Sequence, residues 1–388
     1  MKFPVKKAAA LAVAATVALS LAACSGSGRG GTAAPAGTPS AGGGATAAAG
    51  AGQLVGVAMP TKVDQRWIQD GGNVQSQLQA AGYKVDLEYA NNDIPTQAQQ
   101  IETMITKGAK VLIIASINGG ALGQQLDDAK AAGVKVISYD RLLTGDSNVD
   151  YYATFDNFKV GVMQANSLLT GLGYLDASGN KTGKTGPWHV ELFAGSPDDN
   201  NATFFYNGAM SILKPLIDAG TLVVTSGQTG FSQIAIQGWD PATAKKRMDD
   251  LLAKSYANGS VKLDGVLSPY DGLSDGIIAS LTAGGYQVGA PTWPIITGQD
   301  AEVASVKQII AGSQYSTIFK DTRNLAKVAV SMTEALLQGS TPQINDTTSY
   351  NNGKKIVPTY LLPPVVVTKA NYQKELIDSG YYTQADLK

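Results

Sequence analysis

The chain has little of the chemistry on which most metal sites and covalent mechanisms depend. Its 388 residues include one cysteine and one histidine, which excludes zinc clusters, disulfide frameworks and cysteine–histidine catalysis. Charge is also sparse, with 30 basic and 31 acidic residues, a formal net charge of -1 and no long basic run. We therefore expect no metal, no cofactor and no nucleic-acid partner.

What the chain does have is apolar material for a large core. Of its residues, 44% are hydrophobic and only 16% are charged. A chain of this length and composition can bury a larger apolar core than a single domain of typical size needs. Two lobes are the first expectation.

The amino terminus has the pattern of an export signal followed by a tether. Lys2, Lys6 and Lys7 precede a short apolar run at residues 8–21, and the string LAAC ends at Cys24. This string resembles the lipobox of bacterial lipoproteins, which implies that residues 1–23 are removed and that Cys24 carries the lipid. The alternatives are an ordinary secretory signal with an incidental cysteine, or a membrane anchor, for which the run is short. Residues 24–52, almost wholly Gly, Ala, Ser, Thr and Pro, are predicted to be a flexible tether.

From residue 53 onward, short apolar runs alternate with helical patterns. Strands are predicted at residues 54–59, 84–89, 110–115, 134–138, 188–193, 222–225, 265–267, 294–297 and 315–319, with a last extended segment at 355–368. Helical patterns follow most of these runs, and repeated βα units form parallel sheets that are covered by helices on both faces. Two sheets of about five or six strands suit the length better than a single sheet. The predicted fold class is α/β with two similar parallel-sheet lobes.

Polar and aromatic side chains follow most of these strands. In open parallel sheets, ligands bind outside the carboxyl ends of the strands, so these residues are the candidate site. They are Arg66, Trp67, Asp140, Arg141, Asp199, Asn201, Trp239, Asp271, Asp300 and Lys320. Carboxylates accept hydrogen bonds, guanidinium and ammonium groups donate them, and tryptophan offers a flat apolar face. This mixture suits a sugar, and a pyranose is the expected guest.

Each candidate also has a purely structural interpretation. The string VISYDR places Asp140 beside Arg141, and we expect these two side chains to pair with each other, either as a surface ion pair or as part of a site. Asp199 to Asn201 are typical of a helix cap. No single residue decides between the two interpretations. The functional one is favoured because all these residues converge on one edge of the sheet.

With these residues assembled, the chain resembles the sugar-binding receptors of bacterial ABC importers, of the type I periplasmic binding protein fold. The resemblance covers nearly all of residues 54–388 and is strongest to the multiple-monosaccharide (ChvE-like) group, near the xylose-binding proteins. The strings that carry it are RWIQDG, YYATFDN, ELFAGSPDDNNA, WDPATA, SPYDGLS, GQDAE and YSTIFKDTR.

The resemblance implies two lobes joined by three crossings, with residues 53–155 and 300–340 in the first lobe and residues 156–299 and 341–388 in the second. It implies that Trp67 and Trp239 stack on the two faces of the sugar. The partners it implies are a monosaccharide and an ABC permease, for a monomer held outside the cytoplasm by its lipid. The xylose-binding relatives have Asn before Asp where this chain has Tyr270-Asp271, so which of these two meets the ligand is open.

Rival functions remain at this stage. A secreted glycoside hydrolase also uses carboxylates and tryptophans, but here Arg and Lys lie among the carboxylates and are expected to keep them ionised. A transcriptional regulator on the same fold would need a helix-turn-helix before the first lobe. A receptor for a nucleoside or a furanose signal is separated only weakly by the sequence.

Overall fold

The computed structural model describes residues 52–256 and 261–388, and a six-stranded parallel sheet dominates the first part of the chain. Its strands are β1 (Leu54–Met59), β2 (Lys84–Tyr89), β3 (Val111–Ile114), β4 (Lys135–Tyr139), β5 (Tyr151–Phe155) and β11 (Thr359–Leu362). They lie in the order β11-β5-β4-β3-β1-β2, and every neighbouring pair is parallel. The helices of this lobe are α1 (Gln65–Ala80), α2 (Ile94–Thr106), α3 (Gly123–Ala131) and α10 (Thr322–Leu337).

The alternating side chains of the inner strands of this sheet pack into two separate cores, one on each face. In β3, Val111 and Ile113 pack on the face with α1 and α10, whereas Leu112 and Ile114 pack on the opposite face with α2 and α3. Successive side chains of a strand point to opposite faces. A strand that is apolar at every position is therefore buried on both sides, as the sequence of β3 predicts.

A second parallel sheet follows in the chain. Its strands are β6 (Trp188–Leu192), β7 (Leu222–Val224), β8 (Gly265–Leu267) and β9 (Ile295–Ile296), in the order β7-β6-β8-β9. The helices that follow β5 and surround this sheet are α4 (Asn157–Leu172), α5 (Asn200–Asp218), α6 (Phe231–Ile234), α7 (Pro241–Lys254), α8 (Asp271–Ala283) and α9 (Val303–Ala311). The predicted α/β class with two parallel sheets is confirmed, although the sequence reading had not assigned β5 or α4.

Two short strands form a third, antiparallel sheet where the chain passes between the lobes. β10 (Ser316–Phe319) pairs with β12 (Val365–Thr368). A π-helical turn at Gln373–Asp378 ends the ordered elements. Among the described residues, no helix is long and apolar enough to cross a membrane. The predicted signal, Cys24 and nearly all of the tether lie outside the described residues.

The strand pairing differs in two places from the lobe boundaries drawn from the sequence. Residues 341–388 had been assigned to the second lobe, but β11 hydrogen-bonds to β5 in the first sheet. Residues 300–340 had been assigned to the first lobe, but α9 packs on α8 of the second. The chain therefore returns to the first lobe after β10 and leaves it again after β11.

Helices α4 and α5 pack against each other more closely than side chains would allow. A Cβ atom on Gly161 of α4 would collide with the backbone carbonyl of Phe205, and one on Gly208 of α5 would collide with that of Phe158. Glycine at both positions lets the two backbones touch. This contact fixes the start of α5, which carries Asn201 and Phe205 towards the second sheet's edge.

We expect Gly161→Ala to destabilise the protein by roughly 1–3 kcal/mol, because the added methyl group forces the two backbones apart. Urea unfolding would measure the difference. Gly72→Ala is the matched control, since nothing lies within 4 Å of its would-be Cβ and alanine is the better helix former, by about 0.5–1 kcal/mol. Equal stability of Gly161→Ala and the native protein would contradict the close contact.

Candidate ligand-binding site

A cavity lies where the strands of both sheets end. The space between its walls, open solvent included, is about 390 Å³. The lining residues come from both lobes and from the crossings between them. They are Asp64, Arg66, Trp67, Asp140, Arg141, Asp199, Asn201, Phe205, Trp239, Tyr270, Gln299, Asp300 and Lys320.

The Arg66 guanidinium is buried among three carboxylates from distant parts of the chain. Its Nε lies 3.0 Å from Asp70 Oδ2, one turn along α1, and its Nη1 lies 3.0 Å from Asp300 Oδ1. Its Nη2 donates to Asp140 Oδ1. Arginine suits this position because its planar group donates in several fixed directions at once. It therefore connects α1, the end of β4 and the segment after β9.

Lys320, at the end of β10, adds a second buried cation to the same group. Its Nζ lies 3.1 Å from Asp300 Oδ1 and 3.9 Å from Asp140 Oδ1. Burial opposes ionisation of Asp140, but the charges of Arg66, Lys320 and Arg141 outweigh it and lower the pKa of this carboxyl. Asp140 is therefore an ionised hydrogen-bond acceptor at neutral pH.

The backbone of Asp140 is held in an unusual conformation. Its φ is 56°, in the left-handed region that non-glycine residues rarely adopt. Its carbonyl oxygen accepts from Thr154 Oγ1 at 3.0 Å, from Asn201 Nδ2 at 2.8 Å and from the hydroxyl of Tyr152. Two other cavity residues, Trp239 (φ 56°) and Asp300 (φ 91°), share this backbone region. Such conformations cluster at functional sites, where the surrounding structure over-determines them.

Arg141 forms its ion pair across the cleft, and not with its neighbour. Its Nε lies 3.0 Å from Asp199 Oδ2, in the second lobe, and its Nη1 donates to the Ser116 carbonyl at 3.2 Å. The predicted pairing of Asp140 with Arg141 is therefore wrong. The left-handed turn at Asp140 sends the two side chains in different directions, towards Arg66 and towards Asp199.

Asp199 combines the structural and the site interpretations. It is the N-cap of α5, and its Oδ1 accepts from the Asn201 backbone N–H at 2.9 Å. Burial raises the pKa of Asp199, although Arg141 opposes the shift. The charge of Arg141 therefore offsets only part of the effect of burial at Asp199, whereas the cations around Asp140 outweigh it.

Asn201 bridges the two lobes. Besides donating to the Asp140 carbonyl, its Oδ1 accepts from Tyr152 Oη at 3.0 Å and from Asn157 Nδ2 at 2.9 Å. Tyr152 belongs to β5 of the first sheet, and Asn157 begins α4. The Asn201 side chain therefore lines the cavity and also holds the two lobes together.

Aromatic rings from both lobes face the cavity. Trp67 is 4% exposed, and the guanidinium carbons of Arg66 and Arg141 lie 5.1 and 4.9 Å from its ring centroid. In the second lobe, Trp239 has edge contacts with Phe205 and Tyr270, at centroid distances of 6.3 and 5.9 Å. Its Nε1 is buried with no hydrogen-bond partner among the described residues.

The geometry separates Tyr270 from Asp271. Tyr270 lines the cavity, whereas Asp271 does not. The Asp271 carboxylate is held by Gln314 Nε2 at 2.9 Å and by the Glu302 backbone N–H and Thr317 Oγ1, both at 3.0 Å. Burial, with the nearby Glu302 charge, raises the pKa of Asp271 well above its usual range. Asp271 therefore braces the second crossing, and its predicted place in the site is wrong.

The other nine predicted ligand-binding residues all line the cavity. Sequence reasoning missed Asp64, Phe205 and Gln299 as cavity residues, and it had left Tyr270 open as the alternative to Asp271. Gln299 lay inside the string GQDAE that already pointed to Asp300. Phe205 had no signal of its own, because it is one turn into a helix whose start alone had been considered.

The arrangement is suited to binding a polar ligand with an apolar face. Among the described ranges, no group of three or more His, Cys, Asp and Glu side chains could hold a metal ion. The cavity instead offers ionised acceptors, buried cations as donors, and aromatic rings from both lobes. Sugar hydroxyls both donate and accept hydrogen bonds, and charged partners make these bonds stronger.

Glu302, just behind the cavity, has an altered acidity. Its Oε1 accepts from the Tyr270 hydroxyl at 3.0 Å. Burial, together with the negative charge of Asp300, raises the pKa of Glu302 to about 8. The folded state therefore binds a proton here that the unfolded chain, with an ordinary glutamate pKa near 4.3, releases.

We expect Glu302 to make the native protein progressively less stable as the pH rises from about 5 to 8, because folding then requires proton uptake. Above about pH 8 this contribution levels off. Urea unfolding at pH 5, 6, 7 and 8 should show that the stability difference between Glu302→Gln and the native protein grows with pH in favour of the variant. Glu102→Gln, on the exposed side of α2, is the control and should give a constant difference. A constant difference for Glu302→Gln would contradict the raised pKa.

Comparison with known proteins gives a consistent result. Residues 55–341 match the model of the periplasmic binding protein domain. The multiple sugar-binding periplasmic receptor ChvE of Rhizobium radiobacter is 59% identical over 334 residues, which are 86% of this chain and 92% of that protein. The D-xylose-binding periplasmic protein of Escherichia coli is 35% identical over 86% of this chain and 92% of its own length.

A solved structure is similar over nearly the same region. It is an ABC transporter solute-binding protein from Clostridium phytofermentans with bound β-D-glucose, 50% identical in sequence. The TM-score is 0.81, and the match covers 87% of this chain and 100% of that one.

Proposed function

This chain belongs to the periplasmic binding protein family, and on that premise we propose that it captures monosaccharides in the cavity between its lobes and delivers them to an ABC permease. The expected ligands are aldoses such as glucose, galactose, xylose and arabinose. The observation that carries the proposal is that the same residues line the cavity and hold the lobes together, as in the Arg141–Asp199 and Asn201–Asp140 contacts. The chain is a binding protein and not an enzyme.

The polar groups of the cavity are divided between donors and acceptors, as a sugar requires. Arg66, Lys320 and Asp140 hold one another rigid, which leaves Asp140 Oδ2 and the other oxygen of Asp300 to accept from hydroxyl groups. Arg141 and Trp239 Nε1 donate from the opposite side. Trp67 and Trp239 supply flat faces for the ring carbons, and such contacts bury apolar area while leaving the hydroxyls to the polar groups.

Closure couples binding to the lobe movement. In an open form the two lobes would separate Arg141 from Asp199 and Asn201 from Asp140, which leaves half-sites on each lobe. A ligand that bonds to both lobes favours the closed state by its differential affinity for that state. We propose that the hinge comprises the segment after β5, the segment after β10 and the segment between β11 and β12. The first lobe then holds residues up to 155 and from about 320 to 362.

The chain acts outside the cytoplasm, as its periplasmic relatives do. We further propose that Cys24 is lipidated and that residues 24–52 tether the folded body to a membrane as a monomer. The string LAAC before Ser25 supports this proposal. A tether of small and polar residues keeps the binding cavity free to meet both ligand and permease.

We expect aldoses to raise the thermal midpoint of the protein. A ligand at a hundred times its dissociation constant stabilises the native state by about 2.7 kcal/mol. A thermal-shift panel of glucose, galactose, xylose and arabinose would measure this rise in the midpoint. A nucleoside and a free furanose are included as the ligands of the alternative functions. No shift with any aldose would overturn the proposed function, and a shift with the nucleoside alone would replace it.

Matched variants test whether the thermal shift with aldose arises from binding in this cavity. Trp67→Ala and Asp140→Asn should abolish the shift with aldose, since one removes a stacking face and the other an ionised acceptor. Trp293→Ala and Asp86→Asn change the same residue types outside the cavity and should keep it. Retention of the full shift in Trp67→Ala and Asp140→Asn would contradict binding at this cavity.

Lipidation has its own test. When the full chain is expressed in a bacterium that processes lipoproteins, we expect it in the membrane fraction, and we expect Cys24→Ser to move it to the soluble or secreted fraction. Because Cys24 is the chain's one cysteine, no other thiol can substitute for it. An unchanged distribution of Cys24→Ser would contradict a lipid anchor.

A further inference from the structure

Acidic groups outnumber basic groups in and around the cavity. Seven carboxylates lie in or directly behind its wall: Asp64, Asp70, Asp140, Asp199, Asp271, Asp300 and Glu302. The cations that line it are Arg66, Arg141 and Lys320. Each of these cations already has a carboxylate partner: Arg66 has three, Arg141 has Asp199, and Lys320 has Asp300.

The acidic groups that have no cation of their own are concentrated at one end of the cavity. Glu302 and Asp64 both lie beside the hydroxyl of Tyr270, and each is influenced by the charge of Asp300. Burial, aided by Asp300, raises the pKa of both carboxyls, and Arg141 only partly opposes this for Asp64. Around Glu302 the neighbouring charges are themselves carboxylates: Asp300, Asp64 and Asp275.

An unpaired acceptor lies at the same end. Gln299 precedes Asp300, lines the cavity and is only 3% exposed. Its Oε1 is buried and has no hydrogen-bond partner among the described residues. A buried amide oxygen without a donor is costly, and here it belongs to the residue next to Asp300. Asp300 contacts both Arg66 and Lys320 through Oδ1, which makes Oδ2 its second acceptor.

We propose that this end of the cavity, formed by Asp64, Gln299 and Asp300, accepts a protonated amino group, so that the ligands include aldoses with an amino group in place of a hydroxyl. The inference rests on the proposed function, because it concerns the substrate class of the same site. An ammonium group has three N–H donors and no acceptor, which matches three acceptor side chains. A hydroxyl donates only once.

The positive charges that could repel an ammonium group at this end are already neutralised by carboxylate partners. Lys320 and Arg66 lie on the other oxygen of Asp300, and Arg141 lies on Asp199. An ammonium ion near Asp64 would therefore meet a net negative environment. It would also favour the ionised forms of Asp64 and Glu302, so that binding should release protons.

Isothermal titration calorimetry at pH 6.5 tests this proposal directly. The ligands are glucose, 2-amino-2-deoxyglucose, 3-amino-3-deoxyglucose and 6-amino-6-deoxyglucose, which place the ammonium group at three different positions of the sugar. We expect at least one amino aldose to bind as tightly as glucose or up to tenfold more tightly. Titration in two buffers of different ionisation enthalpy should show proton release with that ligand beyond any release with glucose.

The two proposals fail in different ways. If glucose binds and every amino aldose binds more than tenfold more weakly, the present inference is overturned and the proposed function stands. If an amino aldose binds and glucose does not, the inference stands and the range of ligands in the proposed function is wrong. If no sugar binds, both are overturned.

Variants assign the effect to this end of the cavity. Asp64→Asn keeps the shape of the side chain and removes its charge, so the affinity for the amino aldose relative to glucose should fall at least fivefold. Glu302→Gln should lower the same ratio and reduce the proton release. Asp86→Asn, outside the cavity, should leave the ratio unchanged. An unchanged ratio in both Asp64→Asn and Glu302→Gln would overturn the assignment.

Discussion

The buried guanidinium of Arg66 is the interaction on which the rest of the site depends. It brings together carboxylates from α1, from the end of β4 and from the segment after β9, which are far apart in sequence. A buried charge is stable only when its partners are in place, and loss of one partner of a buried pair costs about 3–5 kcal/mol. The positions of Asp140 and Asp300 are thus determined by a group that is itself buried in the cavity wall.

In the proposed mechanism, ligand recognition and lobe closure use the same side chains. Asn201 and Arg141 each line the cavity and each bond across it, so a ligand cannot be bound fully until the lobes meet. The close contact of α4 with α5 at Gly161 and Gly208 sets where Asn201 stands when they do. Packing far from the ligand therefore determines the geometry of the polar contacts.

The repeated βα pattern and the rule that ligands bind at strand ends together predicted most of the site. Asp140 and Lys320 each follow a strand directly, and Arg66 opens the helix after β1, so their positions alone point to them. The pairing of Arg141 with Asp199 could not be predicted, because it depends on a backbone turn at Asp140 that brings distant residues together. Asp271 was misplaced for a similar reason, since a carboxylate at a strand end serves equally well to brace a crossing.

The left-handed backbone at Asp140, Trp239 and Asp300 restricts how such a receptor can diverge. A substitution at any of these positions must satisfy two requirements at once, namely the new ligand and a φ that glycine, asparagine and aspartate tolerate far better than β-branched residues do. Random exploration of these codons would mostly yield misfolded cavities. Substitutions that change ligand specificity are thus better tolerated at Asp64, Phe205 or Gln299, which have ordinary backbones. The three constrained positions would stay the same in new receptors, whether natural or designed as sensors.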